Sequence, residues 1–412
     1  MPNMVAHDVT LNKLPDAILT AIGNRISEAI NEQDIPTASL AVFHYDTPIL
    51  NAAWGWVDPV EKAIPTSTST LFDLSSLTRA YTAVATLAYI STERIYLQSP
   101  IVQLVRAFGQ SGLRSIGEKQ IRDRDKLIAI PDDLLGKTVD PKTINLFHLL
   151  THTSGLPEWR DLYSLNPPPP QPSVDDTRTT NERWEIARTA LYNYPFVELP
   201  ETSVIISDIG YMILGDAISH LDDELTFDMI IRKHVLGDRF SKTTFSPMQN
   251  GFAQHEIAPT ERHNVWRDRP IWGEVNDNNA SSLGGVAGHA GLFSTAFEVG
   301  LFGNMWLYHA EKLFKVDSDL AGAAIELQAQ TGRNLFGLGW MLKAPNALSH
   351  GDLLSSQSYG QQGDLGTSLW IDPQEKLVIA LLTNHSYSDN EYVNFLDLQR
   401  DIHNIIIEFV QG

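Results

Sequence analysis

Cysteine is absent from the 412-residue chain. That excludes a disulfide, a thiolate metal site and a cysteine nucleophile, and it fits a reducing compartment. Positive charge is scarce as well, with 30 Lys and Arg against 50 Asp and Glu and a formal net charge of −20. A surface of that sign repels phosphate backbones and anionic lipid, which disfavours nucleic acid and membranes as partners. No apolar run approaches a membrane-spanning length. The opening Met1-Pro2-Asn3-Met4-Val5-Ala6-His7-Asp8 lacks the basic start and apolar core of a signal peptide, so a soluble, cytoplasmic protein is expected. Also missing is the Gly-x-Ser-x-Gly elbow of an α/β-hydrolase triad. The glycine-rich stretch at 283–295 carries no phosphate-loop lysine and has the wrong spacing for a dinucleotide, so no cofactor is expected. His148 and His152, four apart, could share a metal, but no third ligand is apparent, and hydrogen-bonded histidines at a buried helix end are the expectation.

What is present has a clear order. Ile18, Ile22, Ile26, Ala29 and Ile30 recur at helical spacing within 16–32, with Asp16 as a candidate cap. Residues 37–45 and 48–57 alternate and carry β-branched and aromatic side chains, which predicts a hairpin. The stretch 106–140 is poorly patterned, and its Arg122-Asp123-Arg124-Asp125-Lys126 run reads as a solvated surface insertion. Pro167-Pro168-Pro169-Pro170-Gln171-Pro172 should be a stiff extended loop beside a cleft. A helix over 181–192 should turn Trp184, Ala187 and Leu191 inward. The chain closes over 391–409 with Phe395, Leu398, Ile402, Ile405, Ile406 and Phe409 on one stripe, a helix expected on the same sheet face as the first. No internal repeat and no linker between independent domains is visible.

The chemistry centres on Phe72-Asp73-Leu74-Ser75-Ser76-Leu77-Thr78-Arg79-Ala80-Tyr81-Thr82-Ala83, where a short turn runs into an apolar helix. Ser76 should open that helix, where free backbone N–H groups and the dipole stabilise an alkoxide or oxyanion. Arg79 lies one turn on, on the same face. Two further stretches join it: Ile206-Ser207-Asp208 ahead of an apolar helix, and Gln361-Gln362-Gly363-Asp364 in a strand followed by a hairpin to 377–384.

These stretches, together with His152-Thr153-Ser154-Gly155-Leu156 and the glycine-rich 283–295, resemble the serine β-lactamase and penicillin-binding-protein superfamily, in particular its class C-like, esterase-related branch. The resemblance implies an α+β fold: an antiparallel sheet flanked by helices plus a mostly helical part. A single unit over 1–412 follows, with the sheet part at about 10–74 and 335–412 and the helical part at about 75–334. It also implies an acylated Ser76, and it assigns cleft positions to Arg79, Ile206, Asp208, Gln361, Gln362, Gly363 and Asp364. In that family the motif reads Ser-x-x-Lys, the Ile206 position is a tyrosine that moves a proton, and an edge strand carries Lys-Thr-Gly or His-Thr-Gly. The backbone N–H after its glycine, here that of Asp364, completes the oxyanion hole with that of the serine.

Three of those groups differ here. Arginine has no lone pair to deprotonate a serine, isoleucine has no proton to exchange, and glutamines replace the strand's cation and hydroxyl. The leading expectation is an impaired member that keeps its cleft for an ester, amide or peptide-like small molecule, or lends its surface to a protein partner that the sequence does not name. The alternative is a serine hydrolase or acyltransferase using Ser76 with another base, Asp208 or a cleft histidine.

Overall fold

The computed structural model describes residues 6–92, 94–120, 126–171, 179–222, 224–345, 350–388 and 395–412. The charged run at 122–125, Pro172 and the start of the last expected helix lie outside the described residues.

A nine-stranded antiparallel sheet organises one side of the molecule. Its strands are β1 (Asp8–Asn12), β2 (Thr37–His44) and β3 (Thr47–Gly55) from the start of the chain. From the end of the chain come β7 (Ala329–Thr331), β8 (Asn334–Phe336), β9 (Met341–Leu342), β10 (Tyr359–Gly363), β11 (Thr367–Asp372) and β12 (Leu377–Thr383). The order is β1-β3-β2-β12-β11-β10-β9-β8-β7, so the first hairpin and the last meet in the middle, at Ala41 opposite Ala380. A smaller sheet joins β4 (Phe72–Asp73), β5 (Thr244–Phe245) and β6 (Leu292–Ser294), with β6 in the centre.

The expectation that the Gln361-Gln362 strand is an edge needs correction. β9 pairs with β10 at Tyr359 and Gly360, and β8 and β7 extend the sheet beyond it. Pairing with β9 stops before Gln361, so the edge survives only over the last three residues of the strand. The pieces of β7–β9 are two or three residues long and lack a clear alternation, which is why the sequence hides them.

Helices cover both faces of the sheet. On one face α1 (Asp16–Asn31) and α6 (Phe395–Gln411) lie together, sharing a core in which Ile22, Ile26, Leu398, Ile402 and Ile406 meet Trp54 and Trp370. That is the predicted arrangement. Asp16 is not the cap of α1, however: it is the first helical residue, and the cap position is Pro15, whose fixed φ suits a helix start without a side-chain bond. The opposite face carries α5 (Ala296–His309), with α2 (Thr78–Ser91) beside β10; α4 (Asp208–Ser219) packs on α2, and α3 (Thr180–Leu191) belongs to the same helical part. Trp184, Ala187 and Leu191 of α3 are buried as expected, and Thr179 caps it reciprocally with Glu182. Helix α5 approaches the sheet closely at Gly300 and Gly303, where a Cβ would fall 2.7 Å from the Phe43 ring and 2.8 Å from Leu369. Within 106–140 the described residues form 3₁₀ turns and two-residue strands, too short to show a periodic pattern.

No helix of the described residues is long and apolar enough to cross a membrane.

Candidate active site

Ser76 sits in a single 3₁₀ turn, Ser75–Leu77, directly ahead of α2 rather than in the α-helix itself. The turn is held from three sides. Ser75 adopts φ 49°, a left-handed conformation that a serine tolerates poorly, and its N–H donates to Asp73 Oδ1 at 2.9 Å. The Asp73 carboxylate also accepts the Asn276 N–H at 2.7 Å. Leu74 donates its N–H to Leu292 of β6 and accepts the Thr367 hydroxyl at 2.9 Å. The last contact pins the turn to β11, and the space above Gly363 closes accordingly: a Cβ there would fall 2.4 Å from the Leu74 carbonyl oxygen and 3.1 Å from Ser75. Glycine at 363 is therefore a packing requirement of the serine turn. Ser76 is 5% exposed.

Arg79 and Asp208 are 6% and 1% exposed. The Arg79 Nη2 donates to Asp208 Oδ1. Asp208 is the first residue of α4, where Ser207 caps the helix by accepting the Gly210 N–H at 2.8 Å and donates its hydroxyl to Pro157. A carboxylate in the first turn meets the positive end of the helix dipole as well as the guanidinium. Tyr211, one turn on, places its ring 5.9 Å from the Arg79 guanidinium carbon, and burial raises its phenol above the ordinary range. Ile206 is half-buried in the extended segment ahead of the cap.

His152, adjoining this pair, is oriented by its surroundings. Its Nδ1 accepts the Ser207 N–H at 3.0 Å, so the ring proton is on Nε2. The ring packs against Tyr211 and Phe336 at centroid distances of 5.0 and 4.9 Å. Burial, reinforced by Arg79, pushes its pKa well below the usual histidine value. His152 is thus neutral, and its lone pair is occupied. His148 instead closes a capping box with Asn145, and its Nε2 meets Glu201 at 2.8 Å. The two histidines go to different partners, as hydrogen-bonded residues at a helix end, and among the described residues no cluster of metal-binding side chains appears.

On the sheet side, strand alternation separates the two glutamines. Tyr359, Gln361 and Gly363 face α2, and Gln361 Nε2 donates to the Gly339 carbonyl at 3.4 Å. Gln362 points to the other face and donates to Gln399 of α6 at 3.1 Å. Only Gln361 therefore shares a side of the sheet with the serine helix. Asp364 is exposed in the turn after β10, and its carbonyl accepts a 2.6 Å bond from His385 Nε2.

The glycine-rich segment packs on the serine helix. Thr82 donates its hydroxyl to the Gly288 carbonyl at 2.7 Å, and Leu292 donates its N–H to Thr78. Gly288 is wedged so tightly between α2 and α4 that a Cβ would fall 2.2 Å from the Tyr211 carbonyl oxygen. His289 is buried against Asp277 at 2.9 Å. The part sequence reading missed is Asp73, whose clamp on Ser75 and Asn276 depends on a loop 200 residues away; its only trace was a charged residue inside an apolar stretch.

The fold and the serine turn define the class of the protein: a serine β-lactamase and penicillin-binding-protein type structure. The sequence model of the Beta-lactamase family matches residues 22–401, and the chain belongs to that family. A protein of Escherichia coli (strain K12) that carries the name of a D-alanyl-D-alanine carboxypeptidase is 26% identical over 404 residues, covering 89% of this chain and 82% of the relative. Among solved structures, a penicillin-binding-protein homologue from Caulobacter crescentus superposes with a TM-score of 0.67 at 14% identity, covering 98% of this chain and 100% of that one. EstCE1, described as a hydrolase with promiscuous acyltransferase activity, superposes with a TM-score of 0.64 at 16% identity over 94% of this chain and 99% of its own.

Two outcomes follow from this geometry. Removing one partner of a buried ion pair strands the other charge, which costs about 3–5 kcal/mol, whereas replacing both by apolar groups is often close to neutral. Asp208→Ala should therefore lower the free energy of urea unfolding by about that amount, and Arg79→Met with Asp208→Leu should recover most of it; equal losses in both variants would contradict the pairing. Burial also raises the Asp73 carboxyl from 3.8 to about 6, against the pull of its two N–H donors. A carboxyl that binds its proton more tightly when folded contributes stability below its unfolded pKa and loses it as pH rises through the folded one, up to about 3 kcal/mol here. Asp73→Asn cannot titrate, so the stability of the native protein relative to this variant should fall by about 1–3 kcal/mol between pH 4 and pH 7. Parallel pH profiles would rule that out.

Proposed function

We propose that this beta-lactamase-family protein binds an ester, amide or peptide-like small molecule in its serine cleft without the turnover typical of the family. The observation that carries this reading is the Arg79–Asp208 pair at the position where the resemblance calls for a lysine that helps deprotonate Ser76. A guanidinium stays protonated and offers no lone pair, and here it is also engaged by a carboxylate. The two alternative bases fare no better. Asp208 is committed to Arg79, and the one lone pair of neutral His152 accepts the Ser207 N–H. Ile206 cannot exchange a proton, and Gln361 brings no positive charge to a substrate carboxylate. Losing a general acid or base typically costs about 10²–10⁴ in rate, and groups of one relay do not lose additively.

A second reading, slow acyl transfer through Ser76, is favoured by a different observation. Thr367 still ties the β10–β11 turn to Leu74, which supports an oxyanion site made by the backbone N–H groups of Ser76 and Asp364. The activities named for the relative and for EstCE1 point the same way.

Intact-mass analysis after incubation with a penicillin and with a fluorophosphonate, run on the native protein and on Ser76→Ala, separates the readings. The expected result is no Ser76-dependent penicillin adduct and nitrocefin hydrolysis no faster than the Ser76→Ala background. A slow fluorophosphonate adduct alone would favour the second reading, and Ser76-dependent nitrocefin turnover would overturn the first.

A further inference from the structure

Behind the serine turn lie two adjoining cavities that share part of their lining. The first, about 580 Å³ including its open mouth, has a mainly apolar lining that includes Pro169, Pro170, Met248, Val275 and Phe293. The second, about 1250 Å³ including its open mouth, has a mixed lining that includes Trp184, Arg188, Asp216, Glu224 and Asp228. Ser246, Gln249 and Gly284 line both, so the two form one groove with an apolar end and a wider, mixed end. Neither lining includes Ser76, Arg79, Asp208 or Gln361. The proline-rich loop lines this groove through Pro169, Pro170 and Gln171.

The charges in the groove are arranged unevenly. At the apolar end Glu274 is neutralised by Arg269 at 2.8 Å and by Arg267 at 3.3 Å, and Arg269 also donates to the Pro170 carbonyl at 3.2 Å, which holds the proline roof in place. At the wider end the Arg188 guanidinium is taken by Asp216 at 3.0 Å and lies 5.7 Å from the Trp184 ring. Glu224 and Asp228 face the same space, and among the described residues neither has a cationic partner. An apolar cavity adjoining a wider one that carries two carboxylates without a cationic partner matches an apolar body carrying an ammonium group.

We propose that this groove is a second ligand site, separate from the serine cleft, that takes an amphiphilic amine: its apolar part beneath Pro169 and Pro170, its ammonium at Glu224 and Asp228 beside Trp184. The bound apolar part would lie against the support of the serine turn. Phe293 stands opposite Asp73 in the β4–β6 pairing, and Val275 precedes Asn276, whose N–H the Asp73 carboxylate accepts.

The test is calorimetric titration of the full chain with octylammonium, octanol and octanoate, which share an apolar body and differ in the head. Octylammonium should bind, and octanol and octanoate should bind at least about tenfold more weakly, the worth of one charge-assisted contact. Glu224→Gln with Asp228→Asn should weaken octylammonium about tenfold and leave octanol unchanged. Gln249 is exposed at the neck, so Gln249→Trp should fold, as judged by its melting temperature, and should weaken octylammonium and octanol together. Should octanoate or octanol match octylammonium, the amine assignment fails. Should native protein not bind octylammonium, or Gln249→Trp bind it as well as native, the site itself is wrong.

Discussion

A buried guanidinium has to meet a carboxylate, and the cleft of this protein is arranged around that requirement. Arginine at position 79 projects from the first turn of α2 into a space closed by α4, the Tyr211 ring and β10. Desolvating such a charge alone would cost several kcal/mol, so Asp208 must stay ionised and in contact with it. The position of Asp208 is in turn set by the Ser207 cap, the Pro157 carbonyl and the α4 dipole. The consequence reaches Ser76. The carboxylate that could have accepted a proton from the serine, directly or through a lysine, is occupied by a partner that cannot release one.

Much of this was legible in the sequence, because it depends on local spacing. Ser76 and Arg79 sit one turn apart, and Asp208 stands directly ahead of a stretch that reads as an apolar helix. The amphipathic stripes of α1 and α6 also announced their shared core, since a run of apolar positions at helical spacing leaves little choice of face. Where periodicity was weak, sequence reading had less to work with. Strands β7–β9 are too short to alternate visibly, so the sheet extends past the strand that was read as its edge.

Side-chain direction was the other limit. Gln361 and Gln362 match adjacent positions of one motif, but the pleat sends only Gln361 toward the serine helix, and Gln362 bonds Gln399 of α6. Asp73 and His152 show the same limit in a different form. The first clamps Ser75 to a loop that arrives two hundred residues later, and the second has its tautomer fixed by the backbone of Ser207. Both depend on contacts between distant segments, which no local pattern reports. His152 matters most for function, because a histidine near the cleft is otherwise the natural substitute base.

The proposal at the centre of this account is that the cleft keeps its scaffold and lacks proton transfer. The most direct test is to rebuild the relay in one variant, Arg79→Lys with Ile206→Tyr and Gln361→His, and to measure hydrolysis of a short-chain nitrophenyl ester, whose good leaving group needs little acid catalysis. The account predicts hydrolysis that rises about 10²-fold or more above native and vanishes when Ser76→Ala is added. A folded triple variant with no gain over native, or a gain that survives Ser76→Ala, would contradict it.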